Sequence, residues 1–186
     1  MEADWEFEIG EDAPVIDADW PGFVDLRQHS ERASDFAESQ QLPGLGDVLV
    51  QLNASDSRVW TCKTDVFDPG NLDPDELDAA TEKSAHTITC YIDLLPRSNC
   101  QWTTPSQTEG DCRLICARLL TQSIHSCRVD LVIRRACITP HSNDLGVTAY
   151  LTACGRTDVE AKSQLTECLM VFAGVIAETG QASVGT

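Results

Sequence analysis

The residues with the most obvious chemical potential are thiols, nine in a chain of 186 residues. Cys112 and Cys116 stand one helical turn apart. His125-Ser126-Cys127 follows shortly after, and Cys100 lies upstream. Zinc and iron–sulfur sites draw on these residue types, but they want a close cysteine pair on a tight turn and a second pair to complete the set. Here the pair falls on a helix face that must be buried, and no second matching pair exists. No metal and no cofactor is therefore expected, with a cysteine-ligated metal kept as a lesser alternative. Thiol catalysis would pair Cys127 with His125, or use Cys112 close to a helix start. A reactive thiolate needs a lowered pKa and an accessible position, and no Cys-x-x-Cys motif is present. A buried cysteine that acts as a small hydrophobe accounts for most of these positions.

Two further chemistries fail on spacing. Asp68-Pro69-Gly70-Asn71-Leu72-Asp73-Pro74-Asp75-Glu76 is rich in oxygen ligands. It lacks the alternating acids and fixed glycine of a calcium loop, and reads instead as a turn followed by a helix cap. Leu42-Pro43-Gly44-Leu45-Gly46 has a Gly-x-Gly but no following Lys-Ser or Lys-Thr, so it is no phosphate loop. The chain also lacks a Gly-x-Ser-x-Gly elbow, a His-Glu-x-x-His pair and a dinucleotide fingerprint. No catalytic residue is nominated.

A more promising set emerges from strand alternation. Successive side chains on a strand point to opposite faces. In Arg58–Phe67, parity places Trp60, Cys62 and Val66 on one face and Thr61, Lys63 and Asp65 on the other. In His86–Leu95, Ile88, Cys90, Ile92 and Leu94 oppose Thr87, Thr89, Tyr91 and Asp93. In Arg128–Ile138, Val129, Leu131 and Ile133 oppose Asp130, Val132 and Arg134. In Leu145–Cys154, Val147, Ala149, Leu151 and Ala153 oppose Thr148, Tyr150 and Thr152. Each strand has one apolar face. The other collects Lys63, Asp65, Tyr91, Asp93, Asp130, Arg134 and Tyr150, with both charge signs and two phenols. Three fates are open to such a face: a solvated surface with cross-strand ion pairs, a concave site for a ligand or peptide, or a surface hidden by another segment or subunit.

The elements that must position this face are two amphipathic helices and the strands. Cys112, Ile115, Cys116, Leu119, Leu120 and Ile124 follow the rhythm of one helical face, which predicts a helix over Ser106–Ser123. Thr157-Asp158-Val159-Glu160 is a capping box. It opens a second helix to Ala177, with Leu165, Cys168, Leu169, Phe172, Val175 and Ile176 on its apolar side and Gly180 as a stop. The turn-forming link Thr139–Asp144 makes the two strands between these helices a hairpin. Upstream, residues 29–41 predict a short polar helix, Asp47–Asn53 a strand paired with Arg58–Phe67, and Asp73–Lys83 a short helix. The sum is an α+β fold: a mainly antiparallel sheet of about five strands with two long helices packed on one face.

The net charge of −17 is concentrated at the front, with 12 acids and 2 bases in residues 1–40. That field repels nucleic acid and anionic lipid and suits a basic protein partner. No apolar run approaches the roughly 20 residues of a membrane span. The acidic opening Met1-Glu2-Ala3-Asp4-Trp5 lacks a basic n-region, so a cytoplasmic chain with reduced cysteines is expected. Residues 1–28 carry aromatics among the acids, unlike a purely solvated tail. They read as an extended arm that docks on its own domain or on another protein. The expected organisation is an acidic arm over 1–41 and an α+β domain over 42–186. The expected function is a non-enzymatic interaction module that binds a protein through the arm, anchored by Trp5 or Trp20, or through the polar sheet face. The rival is a small enzyme or ligand-binding domain with its site on that same face. The sequence leaves the oligomeric state open.

Overall fold

The computed structural model describes residues 1–18, 20–70, 86–100, 102–138 and 144–181. At its centre is the expected hairpin: β5 (Cys127–Cys137) pairs antiparallel with β6 (Asp144–Gly155). Next to β6 lies β4 (His86–Pro96), and outside it β3 (Val59–Phe67), both joined antiparallel. On the far side of β5 the chain departs from expectation. β1 (Glu2–Glu8) runs parallel to β5, placing Glu2 opposite Arg128 and Glu8 opposite Arg134. β2 (Val15–Asp17) continues along the same flank, opposite Arg135–Cys137. The sheet thus has six strands in the order β1-β5-β6-β4-β3, with β2 also on β5. It is mixed, not mainly antiparallel. The cause is readable in Glu2–Ile9, where acids alternate with Ala3, Trp5, Phe7 and Ile9, the period of a half-buried strand. The terminal amine reinforces this docking by donating to the Ile124 carbonyl.

The helices cover one face. α3 (Pro105–Leu119) starts about two turns before Cys112, the first residue of its apolar face. Its cap is Thr104, whose Oγ1 accepts from the Gln107 amide at 3.4 Å, with Pro105 in the first turn. It ends at Leu119, so Leu120, expected on the buried face, is 56% exposed. α4 (Asp158–Gln181) begins at the expected capping box, where the Glu160 amide donates to Thr157 Oγ1 at 3.1 Å. It continues past Gly180. Between these stands a correction. Asp47–Asn53 is not a strand but most of α2 (Leu45–Asn53), which buries Leu45, Val48, Leu49 and Leu52 at the i, i+3, i+4, i+7 spacing of a helix. Gly44 precedes it in a left-handed conformation, φ 85°. The polar helix at 29–41 is a 3₁₀ segment (Ser30–Asp35) followed by α1 (Ala37–Gln41). The helix expected from Asp73 lies outside the described residues.

The main core lies between this helical layer and the dry face of the sheet. Leu131, Ile133, Ala149, Leu151, Leu165, Leu169 and Phe172 are all fully buried there. A smaller cluster of Ile16, Trp60, Cys62, Leu95 and Ala136 lies apart from it. This revises the parity of β3. A bulge between Thr61 and Lys63 shifts the register, so Trp60 pairs with Leu95 while Thr61 pairs with Leu94. Trp60 and Cys62 join the small cluster, and Val66 stays with the main core. Thr61 turns inward, where its Oγ1 accepts from Asn53 Nδ2 at 2.7 Å. None of the nine cysteines forms a disulfide; eight of them are buried and Cys137 is half-buried. Burial pushes the Cys90 and Cys116 thiols up to about 12. Among the described residues no helix is long and apolar enough to cross a membrane.

Candidate functional site

Cross-strand register places the expected polar residues on one face, in adjacent rows. Asp4, Asp130, Tyr150, Tyr91 and Asp65 follow one another across β1, β5, β6, β4 and β3. The next row is Glu6, Val132, Thr148, Asp93 and Lys63, and beyond it Glu8 stands beside Arg134. Directly paired residues share a face, so these side chains lie on the side of the sheet opposite the helices.

Arg134 organises the middle of that face. Its Nε and Nη2 donate to Glu8 Oε2 at 2.9 and 2.6 Å. Its Nη1 donates to Thr148 Oγ1 at 3.1 Å and to the Tyr150 hydroxyl at 3.3 Å. Thr148 in turn donates to Asp93 Oδ1 at 2.6 Å. One guanidinium therefore ties β1, β5 and β6 together and reaches β4 through a hydroxyl. Burial works against the charge on Arg134, but Tyr150 and Glu8 outweigh it and its pKa is raised. Asp93 is only 8% exposed. Burial raises its pKa, against the Thr148 hydrogen bond and the charges of Arg134 and Lys63. Burial likewise raises the Tyr91 phenol, with Lys63 opposing. The Tyr91 and Tyr150 rings lie 5.9 Å apart, tilted by 48°.

A second knot involves Arg128, which the sequence placed in a strand without assigning it a role. Its Nε donates to Asp130 Oδ1 and Oδ2 at 2.9 and 2.8 Å, and its Nη1 lies 3.9 Å from Glu2. The two knots border a depression of about 550 Å³ on β1, β5 and β6, lined by Asp4, Glu6, Glu8, Asp130, both arginines and Tyr150. Glu8 and Asp130 are held by the arginines. Asp4 and Glu6 form no ion pair among the described residues. The depression therefore carries excess negative charge.

Not every expected residue belongs to this hollow. Lys63 and Asp65 are exposed on the edge strand β3, on the same face. Trp5 touches the rim of the hollow but belongs mainly to the other face: half-buried, it packs on the main core, meets Phe7 edge-on, and lies under the Arg113 guanidinium at 5.6 Å. Trp20 is 38% exposed, donates its indole N–H to the Cys62 carbonyl at 3.3 Å, and packs against Phe23. Sequence reasoning missed the β1 acids as members of the face, and it placed Thr148 there without giving it a role. The alternation of Glu2–Ile9 was the signal for the first. Nothing in the sequence marks Thr148 as the link between Arg134 and Asp93. Cys112, Cys116 and Cys127 are buried away from this surface. Among the described residues no group of three or more histidine, cysteine or acidic side chains is placed to hold a metal.

No protein-family model matches the chain, and comparison with curated proteins and with solved structures gives no match either.

Proposed function

We propose that the chain is a non-enzymatic binding module whose wet sheet face receives a basic segment of a protein partner. The supporting observation is the depression on β1, β5 and β6, where arginines hold Glu8 and Asp130 while Asp4 and Glu6 keep unmatched charge. The arm and the sheet face are one surface in this reading, because β1 adds its acids to the face. Mechanistically, the net charge of −17 steers a cation toward the molecule. Asp4 and Glu6 then pair with it, and the Tyr150 ring offers a neighbouring π-face. Nine cysteines without a disulfide suit a reducing compartment, so we place the module in the cytoplasm.

Titration calorimetry with hexalysine tests this. Saturable binding is expected, weakening as salt rises. The double variant Asp4→Asn/Glu6→Gln should bind about tenfold more weakly, from two exposed charge pairs of roughly 0.5–1 kcal/mol each. Equal binding by this variant and by the unaltered protein would overturn the reading. A second reading, a small-ligand or catalytic site in the same hollow, draws on its volume of about 550 Å³. That falls within the roughly 300–1,000 Å³ typical of small-molecule pockets. Saturable binding of spermidine without any binding of hexalysine would favour it.

A further inference from the structure

At the opposite corner of the molecule the charge logic reverses. Most described cations are paired with carboxylates. Arg97 is not, among the described residues. Its Nη2 donates to the Asn53 carbonyl at 2.6 Å and its Nε to the Val59 carbonyl at 3.2 Å. Both bonds fix the plane of the guanidinium without neutralising it, and among the described residues they leave Nη1 unused. Beside it, the Arg27 guanidinium lies over the Trp60 ring, its Cζ 3.8 Å from the centroid. Asp25 holds Arg27 there through two parallel hydrogen bonds of 2.8 and 2.9 Å. Both arginines line a depression of about 510 Å³ together with Ser55, Ser98 and Asn99. Burial and the neighbouring Arg27 charge lower the Arg97 pKa, with Asp25 and Asp56 opposing. Asp25 already matches the charge of Arg27, so the charge left to satisfy at this corner is that of Arg97, which an anion would neutralise.

We propose that the corner between Arg27 and Arg97 is an anion site that takes the phosphoryl group of a small molecule. Guanidinium is the side chain suited to oxyanions, since its donors form a rigid fork. The donors come from three segments: Arg27 on the segment after β2, Ser55 after α2, and Arg97, Ser98 and Asn99 after β4. A phosphoryl group offers three terminal oxygens to such a set, where a carboxylate offers two. Ser55, Ser98 and Asn99 are exposed, so their polar groups are available to a ligand. The hollow is large enough to seat more than the anion, against the Trp60 and Pro96 wall. The site stands on its own, and its fate is independent of whether the acid-lined face binds anything.

The test is a titration of the full chain with phenyl phosphate at constant ionic strength, followed by amide and indole NMR shifts. Saturable shifts are expected at Ser55, at Arg97–Asn99 and at the Trp60 indole. Benzoate should bind at least about fivefold more weakly, having one oxygen fewer to engage. Arg97→Gln should abolish the shifts. Because Arg97 also holds two carbonyls, an independent variant is needed, and Ser98→Glu supplies it at an exposed position. It should weaken phenyl phosphate at least about tenfold by placing a like charge in the hollow, with the rest of the spectrum unchanged. Shifts that do not saturate, benzoate binding as tightly as phenyl phosphate, or undiminished binding by a folded Ser98→Glu protein would overturn the proposal.

Discussion

On the helix side of the sheet, Val129, Leu131, Ile133, Ala149 and Leu151 have no measurable exposure. One residue along each of the same strands, Asp130, Arg134 and Tyr150 remain half-buried and bonded to one another or to neighbouring strands. The two faces share every backbone hydrogen bond of the sheet. They differ in what opposes them: close-packed side chains on one side, and on the other water around Asp130, Arg134 and Tyr150, with the small Ile16, Trp60 and Leu95 cluster further along. On the dry side a lost methylene leaves a void that neighbours only partly fill. On the wet side a lost group is largely replaced by solvent. Stability should therefore concentrate on the first face, and freedom to bind on the second.

The largest effect should come from the dry face. Leu151→Ala, in mid-strand under α4, is expected to cost about 3 kcal/mol. Urea unfolding should show it as a lower midpoint with an unchanged slope. A cost under about 1 kcal/mol would show that the helical layer is not packed on the sheet. Next comes the most connected group of the wet face. Arg134→Ala removes partners from Glu8, Thr148 and Tyr150. It should cost about 2 kcal/mol, more than an ordinary surface change, because Thr148 and Asp93 are buried beneath it. A cost equal to that of Leu151→Ala would erase the distinction between the faces.

Much of this division was legible in the sequence. Period-two alternation in β4, β5 and β6 was enough to sort Leu131 from Asp130 and Leu151 from Tyr150. The capping box at Thr157 marked the start of α4. The failures have local causes. In β3 a bulged residue, Cys62, breaks the count, so Trp60 ends on the opposite face from the one its parity assigns. In α2, Val48, Leu49 and Val50 resemble a strand by composition, while the burial of Leu45, Val48, Leu49 and Leu52 obeys the helical period. For β1 the alternation was present, but it reads as part of an extended arm over residues 1–28. Pairing with β5 is long-range and parallel, and no local signal encodes it. The same holds for the Arg27–Arg97 corner, whose members are brought together only by tertiary folding.

A smaller effect separates the faces by pH. The pKa of Asp93 is raised by burial, so the folded state binds its proton more tightly than the unfolded chain does. The stability linked to that proton is present below the unfolded value and is lost as pH rises through the folded one. At neutral pH the buried charge is thus a liability. Asp93→Asn keeps an oxygen to accept from Thr148 and removes the charge. It should melt higher than the unaltered protein at pH 7, with the gain vanishing near pH 3. A gain independent of pH would mean that the carboxylate is not desolvated by the fold.

The smallest effect on stability should be the most telling for binding. Glu6 is exposed, stands on an edge strand and forms no ion pair among the described residues. Glu6→Gln should leave the melting temperature within the change expected from about 0.5 kcal/mol. Yet it removes one of the two unmatched charges in the hollow. Hexalysine affinity at low salt should fall roughly twofold to fivefold, the worth of one exposed charge pair, and the difference should shrink as salt is added. The pairing of these two outcomes carries the inference. A residue that matters to folding would move both quantities, and a merely solvated acid would move neither. Only a carboxylate kept available for a cationic partner changes affinity while leaving the fold as it was.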